Sequence, residues 1–273
     1  MSLPLPSSLS PSKLSAFRDC ALAFRFAAID RLPEPPAPWT TLGTLVHRAL
    51  ELLFWENPAG GRSLTVALAN VDRAWEEMRG TPDVADLQLG DDELARMTDD
   101  ARDHVRRYFE LEDPDGVRVL GTELTLEAPL GGTLLRGIID RLEVDDEGRL
   151  VVTDYKTGRV PGRHHEHARL GGVHFYAWLC QQTFGVRPAR VQLLYLSEPV
   201  AISTVPTAQS VRGVELKAGA VWAAVERACR AEDFRPRPSG LCPYCSFRQH
   251  CPAFGGDPAA VRLAGRTPVE AAV

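Results

Sequence analysis

Between residues 117 and 156 the hydrophobic pattern of this chain leaves the helical period of about 3.6 and repeats every second residue. VRVLGTELTLEA (117–128), TLLRGIIDRLEV (133–144) and RLVVTDYK (149–156) each alternate, which predicts three consecutive strands. Gly131-Gly132 supplies the first hairpin turn, Asp145-Asp146-Glu147-Gly148 the second, and Thr157-Gly158 closes the third strand. These elements fix a three-strand meander, and the rest of the chain is read around it.

Upstream, residues 10–29 read as a helix, with Ser10 as cap, Pro11 at the first position and Leu14, Phe17, Leu22 and Phe26 on an apolar face. The stretch 32–39 holds four prolines and reads as an extended linker. Thr41 to Trp55 is a second helix, with Leu42, Leu45, Val46, Leu50, Leu53 and Phe54 at helical spacing. Residues 63–79 and 91–112 are acidic, Arg-laced helices that read as an insertion. Downstream come a basic loop (159–169), a helix over 171–184, strands at 190–196 and 200–206, a helix over 213–231 and a disordered tail from Gly255. The predicted organisation is an N-terminal helix and linker (1–40), a first core helix (41–62), the insertion (63–112), the rest of the core (113–231), a cysteine region (232–254) and the tail (255–273). The fold class is α/β: helix, three-strand meander, helix and strand around a short mixed sheet.

No apolar run approaches the roughly 18 residues of a membrane helix, and the start MSLPLPSSLS has neither a basic nor an apolar segment of a signal peptide. A cytoplasmic location is therefore expected, where six cysteines in 273 residues would be free, metal-bound or catalytic. The net charge of −5 is unevenly spread. Residues 1–150 carry 16 basic and 27 acidic side chains, residues 151–273 carry 15 and 9, so a polyanion would meet the second part more readily. Only Lys13, Lys156 and Lys217 are lysines among 31 basic residues. A position that stays Lys in so Arg-rich a chain suggests proton exchange, which Arg cannot perform.

Asp154 and Lys156 lie two apart on the third strand and share a face. A hairpin turning near 145–148 brings Asp140, on the preceding strand, beside Asp154. Carboxylates meeting at a sheet edge repel, and a hard divalent cation, Mg²⁺ or Mn²⁺, relieves the repulsion. Lys156 would then orient or deprotonate a water or stabilise charge developing on a phosphate. The plainer alternative is a solvated salt bridge at a strand end.

GIIDR (137–141) followed by LVVTDYKTG (150–158) resembles the active-site pattern of PD-(D/E)XK nucleases, in particular the RecB-like exonuclease branch, and GTLVHRALE (43–51) resembles that branch's histidine motif. The resemblance runs over roughly residues 10–254 and implies a restriction-endonuclease-like core. It further implies that His47, Asp140, Asp154 and the backbone carbonyl of Tyr155 ligate a metal, that Glu123 belongs to the same site, and that Lys156 is catalytic. Glu51, one helical turn after His47, could hold its imidazole as an outer partner. GGVHFYAWL (171–179) resembles the helix that carries a Gln-x-x-x-Tyr element in this branch; Tyr176 matches the tyrosine, whereas Gly172 stands at the glutamine position. Tyr176, Arg159 and Arg163 are the candidate DNA contacts, with core packing and a solvated loop as the alternatives.

Cys242, Cys245 and Cys251, spaced C-x2-C-x5-C, lack a fourth ligand, and Cys20 is the best candidate because Cys180 and Cys229 fall in apolar helices. Spacing leaves zinc and a [4Fe–4S] cluster open. One cysteine near the start and three near the end resembles the iron–sulfur clasp of AddB-type and CRISPR-associated nucleases, which implies the cluster as cofactor, with Zn²⁺ second. The function implied is DNA cleavage at single strands or ends in repair or recombination. The alternatives are a silent DNA-end-binding module and a redox-responsive regulator. No G-x-x-x-x-G-K-[ST] loop is present, so a separate helicase is the partner the resemblance suggests.

Overall fold

The period-two segments form three strands in the computed structural model, which describes residues 2–162 and 166–264, with 166–171 and 262–264 by backbone alone. In chain order the elements are α1 (Pro11–Asp19), α2 (Ala21–Phe24), α3 (Pro38–Glu56), α4 (Leu64–Met78), α5 (Pro82–Ala85), α6 (Asp91–Leu111), β1 (Arg118–Leu130), β2 (Thr133–Val144), β3 (Leu150–Lys156), α7 (Glu166–Phe184), β4 (Arg190–Tyr195), β5 (Val200–Thr204), α8 (Ala208–Ala231) and α9 (Pro258–Ala264). The sheet order is β1-β2-β3-β4-β5. β2 and β3 pair antiparallel, from Val144–Leu150 to Arg141–Thr153. β3 and β4 pair parallel, from Val151–Arg190 to Lys156–Tyr195, which requires a crossover, and α7 supplies it. β5 returns antiparallel to β4. No described helix is long and apolar enough to cross a membrane.

The chain divides into two units, one of Met1–Glu34, Pro129–Leu135 and Leu216–Val273, the other of Pro35–Ala128 and Arg136–Glu215. The larger unit is built on α3. Its apolar stripe (Leu45, Val46, Ala49, Leu50, Leu53) is wholly buried against Ala67, Val71 and Ala74 of α4 and Ala101, Val105 and Tyr108 of α6. Each large aliphatic removed from water there contributes about 1.5–3 kcal/mol. Residues 63–112, expected as an insertion, thus share one core with α3. The same core takes Tyr155 of β3 and Leu194 of β4, so Asp154 and Lys156, on either side of Tyr155, point to the opposite face of the sheet. Phe175, Trp178, Leu179 and Cys180 of α7 are buried as well. The helix approaches β2 at Gly137, where a Cβ would stand 2.9 Å from Leu179 Cδ1 and 3.0 Å from Tyr176 Cε1, so a larger residue beside the acid-bearing end of β2 would have to displace those side chains.

In the smaller unit the helix expected over 10–29 is broken. Cys20 adopts extended backbone (φ −159°, ψ 109°), ending α1, and the turn after α2 widens into a π-helix over Arg25–Ile29. Phe26 packs on Phe247 (5.6 Å between centroids) and on His250 (5.9 Å), tying the N-terminal segment to the cysteine region. Two further expectations are corrected. The linker expected over 32–39 ends earlier, because Pro38, lacking an N–H, starts α3. The tail expected to be disordered from Gly255 contains α9; residues 265–273 lie outside the described residues.

Candidate active site

His47 on α3, Glu123 on β1 and Asp140 on β2 each present one ligand atom, and the three atoms lie within 4.8 Å of one another. His47 Nδ1 stands 3.6 Å from Asp140 Oδ2 and 3.8 Å from Glu123 Oε1, while Nε2 is 3.1 Å from the Tyr155 carbonyl oxygen. The β2–β3 ladder ends at Arg141–Thr153, and beyond it the Asp140 carboxylate accepts the Tyr155 N–H at 2.7 Å. The strands part there, and a side chain fills the gap. Glu123 reaches the group from left-handed backbone (φ 46°), a conformation that breaks the pleat of β1 and re-aims the side chain.

Asp154 is buried and pairs through Oδ2 with the Lys156 ammonium. Burial, followed by the charge of Asp154, pushes the Asp140 carboxyl up to about 7, against the pull of His47, the Tyr155 N–H and Lys156. Burial lowers His47, but the Glu123 hydrogen bond and the charges of Asp140, Asp154 and Glu123 outweigh it, so the imidazole titrates above its usual value. Lys156 shows the same balance, with Asp154 and Asp140 lifting it above an ordinary lysine despite burial. It is therefore a firm ammonium, suited to donating hydrogen bonds to an anion rather than accepting a proton. A carboxyl whose proton affinity is raised by burial and a neighbouring carboxylate fits a hard divalent cation, which would replace the proton, and one imidazole with carboxylate oxygens is a donor set for such an ion.

Tyr176 is half-buried against Gly137, and burial together with Asp154, Asp140 and Glu123 raises its hydroxyl above the usual value. The helix thus brings Tyr176 to the acids, while Gly172 is exposed with open space where its Cβ would be. Glu51 is placed differently from expectation: its carboxylate takes Arg48 Nη1 at 2.8 Å, and the atoms facing His47 belong to Glu123, Asp140 and Tyr155. Arg159 is exposed beyond the end of β3, and Arg163 lies outside the described residues.

A buried layer under the site escaped the sequence reading. Arg141, wholly buried, pairs with Glu143 and Glu112 and donates to Tyr155 Oη (2.9 Å), Tyr108 Oη (3.1 Å) and Thr153 Oγ1 (3.2 Å). It follows Asp140 directly, so one residue faces the acids and the next locks Tyr155 and Thr153 from below. His104 of α6 lies 3.2 Å from the carbonyl of Thr157, at the end of the strand that carries Lys156. The adjacency of Asp140 and Arg141 was the available signal, read only for its first member.

In the smaller unit Cys20, Cys242, Cys245 and Cys251 line one cavity of about 610 Å³. Burial raises the Cys245 thiol, the Phe247 backbone N–H lowers it, and Cys20, Cys242 and Cys251 add to the rise, which puts all four within electrostatic reach. Cys20 Sγ accepts the Arg237 N–H (3.5 Å) and Cys242 Sγ the Ser239 N–H (3.2 Å). These thiols do not close to single-ion spacing; among the described residues, His47, Glu123 and Asp140 are the group that does. Cys180 and Cys229 are buried, and burial pushes Cys180 up to about 12.

Residues 8–252 match the model of the PD-(D/E)XK nuclease superfamily, and the chain belongs to that superfamily. It is 26% identical over 268 residues to the gene 69 protein of Mycobacterium phage D29, covering 90% of this chain and 96% of the phage protein. The gene 69 protein of Mycobacterium phage L5 is 24% identical over 291 residues, with the same coverage. A solved structure of a candidate exonuclease from Eubacterium rectale superposes with a TM-score of 0.54 at 12% identity, over 88% of this chain and 87% of that one, and so shares the fold.

Proposed function

We propose that this chain is a Mg²⁺- or Mn²⁺-dependent deoxyribonuclease that trims single strands or DNA ends in repair or recombination. The observation that carries the reading is the convergence of His47, Glu123 and Asp140 to single-ion spacing beside the Asp154–Lys156 pair. His47, Asp140 and Asp154 would hold the cation, with Glu123 and the Tyr155 carbonyl completing its shell. A bound divalent cation supplies Lewis acidity toward the scissile phosphate. Lys156 hydrogen-bonds a phosphate oxygen and stabilises charge that grows there as the P–O bond breaks. Tyr176 walls the site, and Arg159 and Arg163 attract the flanking backbone. A separate helicase would supply opened strands from duplex.

Cys20, Cys242, Cys245 and Cys251 hold a [4Fe–4S] cluster in this reading. Four thiols around a cavity, with backbone N–H groups aimed at two of the sulfurs, favour a polynuclear cluster over one zinc ion.

The test is incubation of end-labelled single- and double-stranded DNA with Mg²⁺ or Mn²⁺, with Asp154→Ala beside the parent. Metal-dependent loss of label, slowed on the order of 10³-fold in the variant, is expected. DNA retained intact regardless of metal would mark a binding module, and binding that follows oxidation state would mark a redox regulator.

A further inference from the structure

A groove of about 550 Å³ runs along α3 into the candidate active site, with Trp39 at one end and His47, Glu123 and Lys156 at the other. Trp39, Gly43 and His47 are spaced four residues apart and lie on one face of the helix. Eight residues of helix separate the indole from the imidazole by about 12 Å along the axis, three to four stacked nucleotides at about 3.4 Å each. Gly43 leaves the lining between them free of a side chain: a Cβ there would stand 3.2 Å from Thr157 Oγ1, across the groove. Trp39 is 67% exposed although it sits in the first turn of a rigid helix. Pro38 fixes the backbone before it, and Thr40 Oγ1 both accepts the Ala37 N–H (3.3 Å) and donates to the Ala37 carbonyl (2.8 Å). The indole is thus a pre-set flat surface that loses little backbone entropy when something lies against it.

The geometry points to Trp39 as a stacking platform for one base of an unpaired DNA strand whose backbone continues along the Gly43 floor to the carboxylates. The inference rests on the nuclease reading and adds its strand preference. Base faces are free in a single strand and hidden in a duplex, so an indole beside the acids selects opened strands. The residue acts in binding, since about 12 Å keeps it from the reacting atoms.

The experiment uses the full chain and a fluorescein-labelled single-stranded 12-mer, the same oligomer with one abasic site walked along it, and the matched duplex. Trp39→Ala is expected to raise KM for the single strand about tenfold to a hundredfold, with kcat carrying little of the loss and Trp39→Phe recovering most of it. At one position the abasic site should weaken the parent by a similar factor and cost Trp39→Ala nothing further. Independent, additive losses, or a Trp39→Ala variant within twofold of the parent, would overturn the platform and leave the indole as incidental surface. Equal losses on single strand and duplex would overturn the strand preference. Anisotropy with the metal-free protein reads the same stacking without cleavage, so a parent that binds these oligomers but cuts none defeats the nuclease reading and leaves the platform to be judged by binding.

Discussion

The carboxylate group and the thiol cavity are both places where several ligating side chains meet, yet they are built in opposite ways. His47, Glu123 and Asp140 converge to 4.8 Å because three regular elements, α3, β1 and β2, fix their backbones, and the fold holds the acids together against their repulsion. The four cysteines stand on a broken helix and on short 3₁₀ turns at Cys242–Tyr244, Arg248–His250 and Pro252–Phe254, around open space. The first is shaped before any ion arrives. Around the second, the turns over 242–254 bury Phe247 and no other large side chain, while Leu22, Phe24 and Phe26 are buried just after Cys20. The carboxylate group is thus met by one helix and two strands, and the thiols by turns around a cavity.

The largest expected effect lies on the side of the thiols. Cys251→Ala should lower stability by roughly 5 kcal/mol or more, since a metal centre's binding energy becomes folding energy, and should abolish absorbance near about 400 nm. A variant that melts with the parent would break the contrast. Next comes Arg141→Met, which leaves buried Glu143 and half-buried Glu112 without their cation and should cost about 3–5 kcal/mol in a urea titration. Full stability there would mean that the acids above are not held by this layer. The smallest effect concerns protons. Asp140 titrates near 7 in the fold and near about 3.9 unfolded, so the metal-free fold binds its proton more tightly and loses stability as pH rises through 7. The raised His47 acts in the same direction. Metal binding runs the other way: Mn²⁺ affinity should weaken by at least about tenfold per pH unit below 7, as protons on Asp140 and His47 must leave. Calorimetric titrations at pH 6, 7 and 8 check this, and an affinity independent of pH would exclude Asp140 as the titrating ligand.

The parts of this molecule that follow a period were legible in the sequence. β2 was bounded correctly at Thr133–Val144 because alternation and Gly131-Gly132 agree, and the juxtaposition of Asp140 with β3 follows from the next turn. What escaped depends on contacts between distant residues. Nothing local to Glu123 announces left-handed backbone, and nothing local to Cys20 announces that α1 stops there. Arg141 reads as one more arginine until Glu112, Glu143 and Tyr155 surround it. Glu51 fell to Arg48, a competitor three residues away that helical spacing alone could have nominated.

The parallel pairing of β3 with β4 has a consequence during synthesis. The strand that bears Asp154 and Lys156 obtains one edge of its backbone bonds from Arg190–Tyr195, which leaves the ribosome only after all of α7. Non-local pairing of this kind forms late. A nascent or truncated chain ending before β4 would carry Asp154 and Lys156 on a strand paired along one edge only.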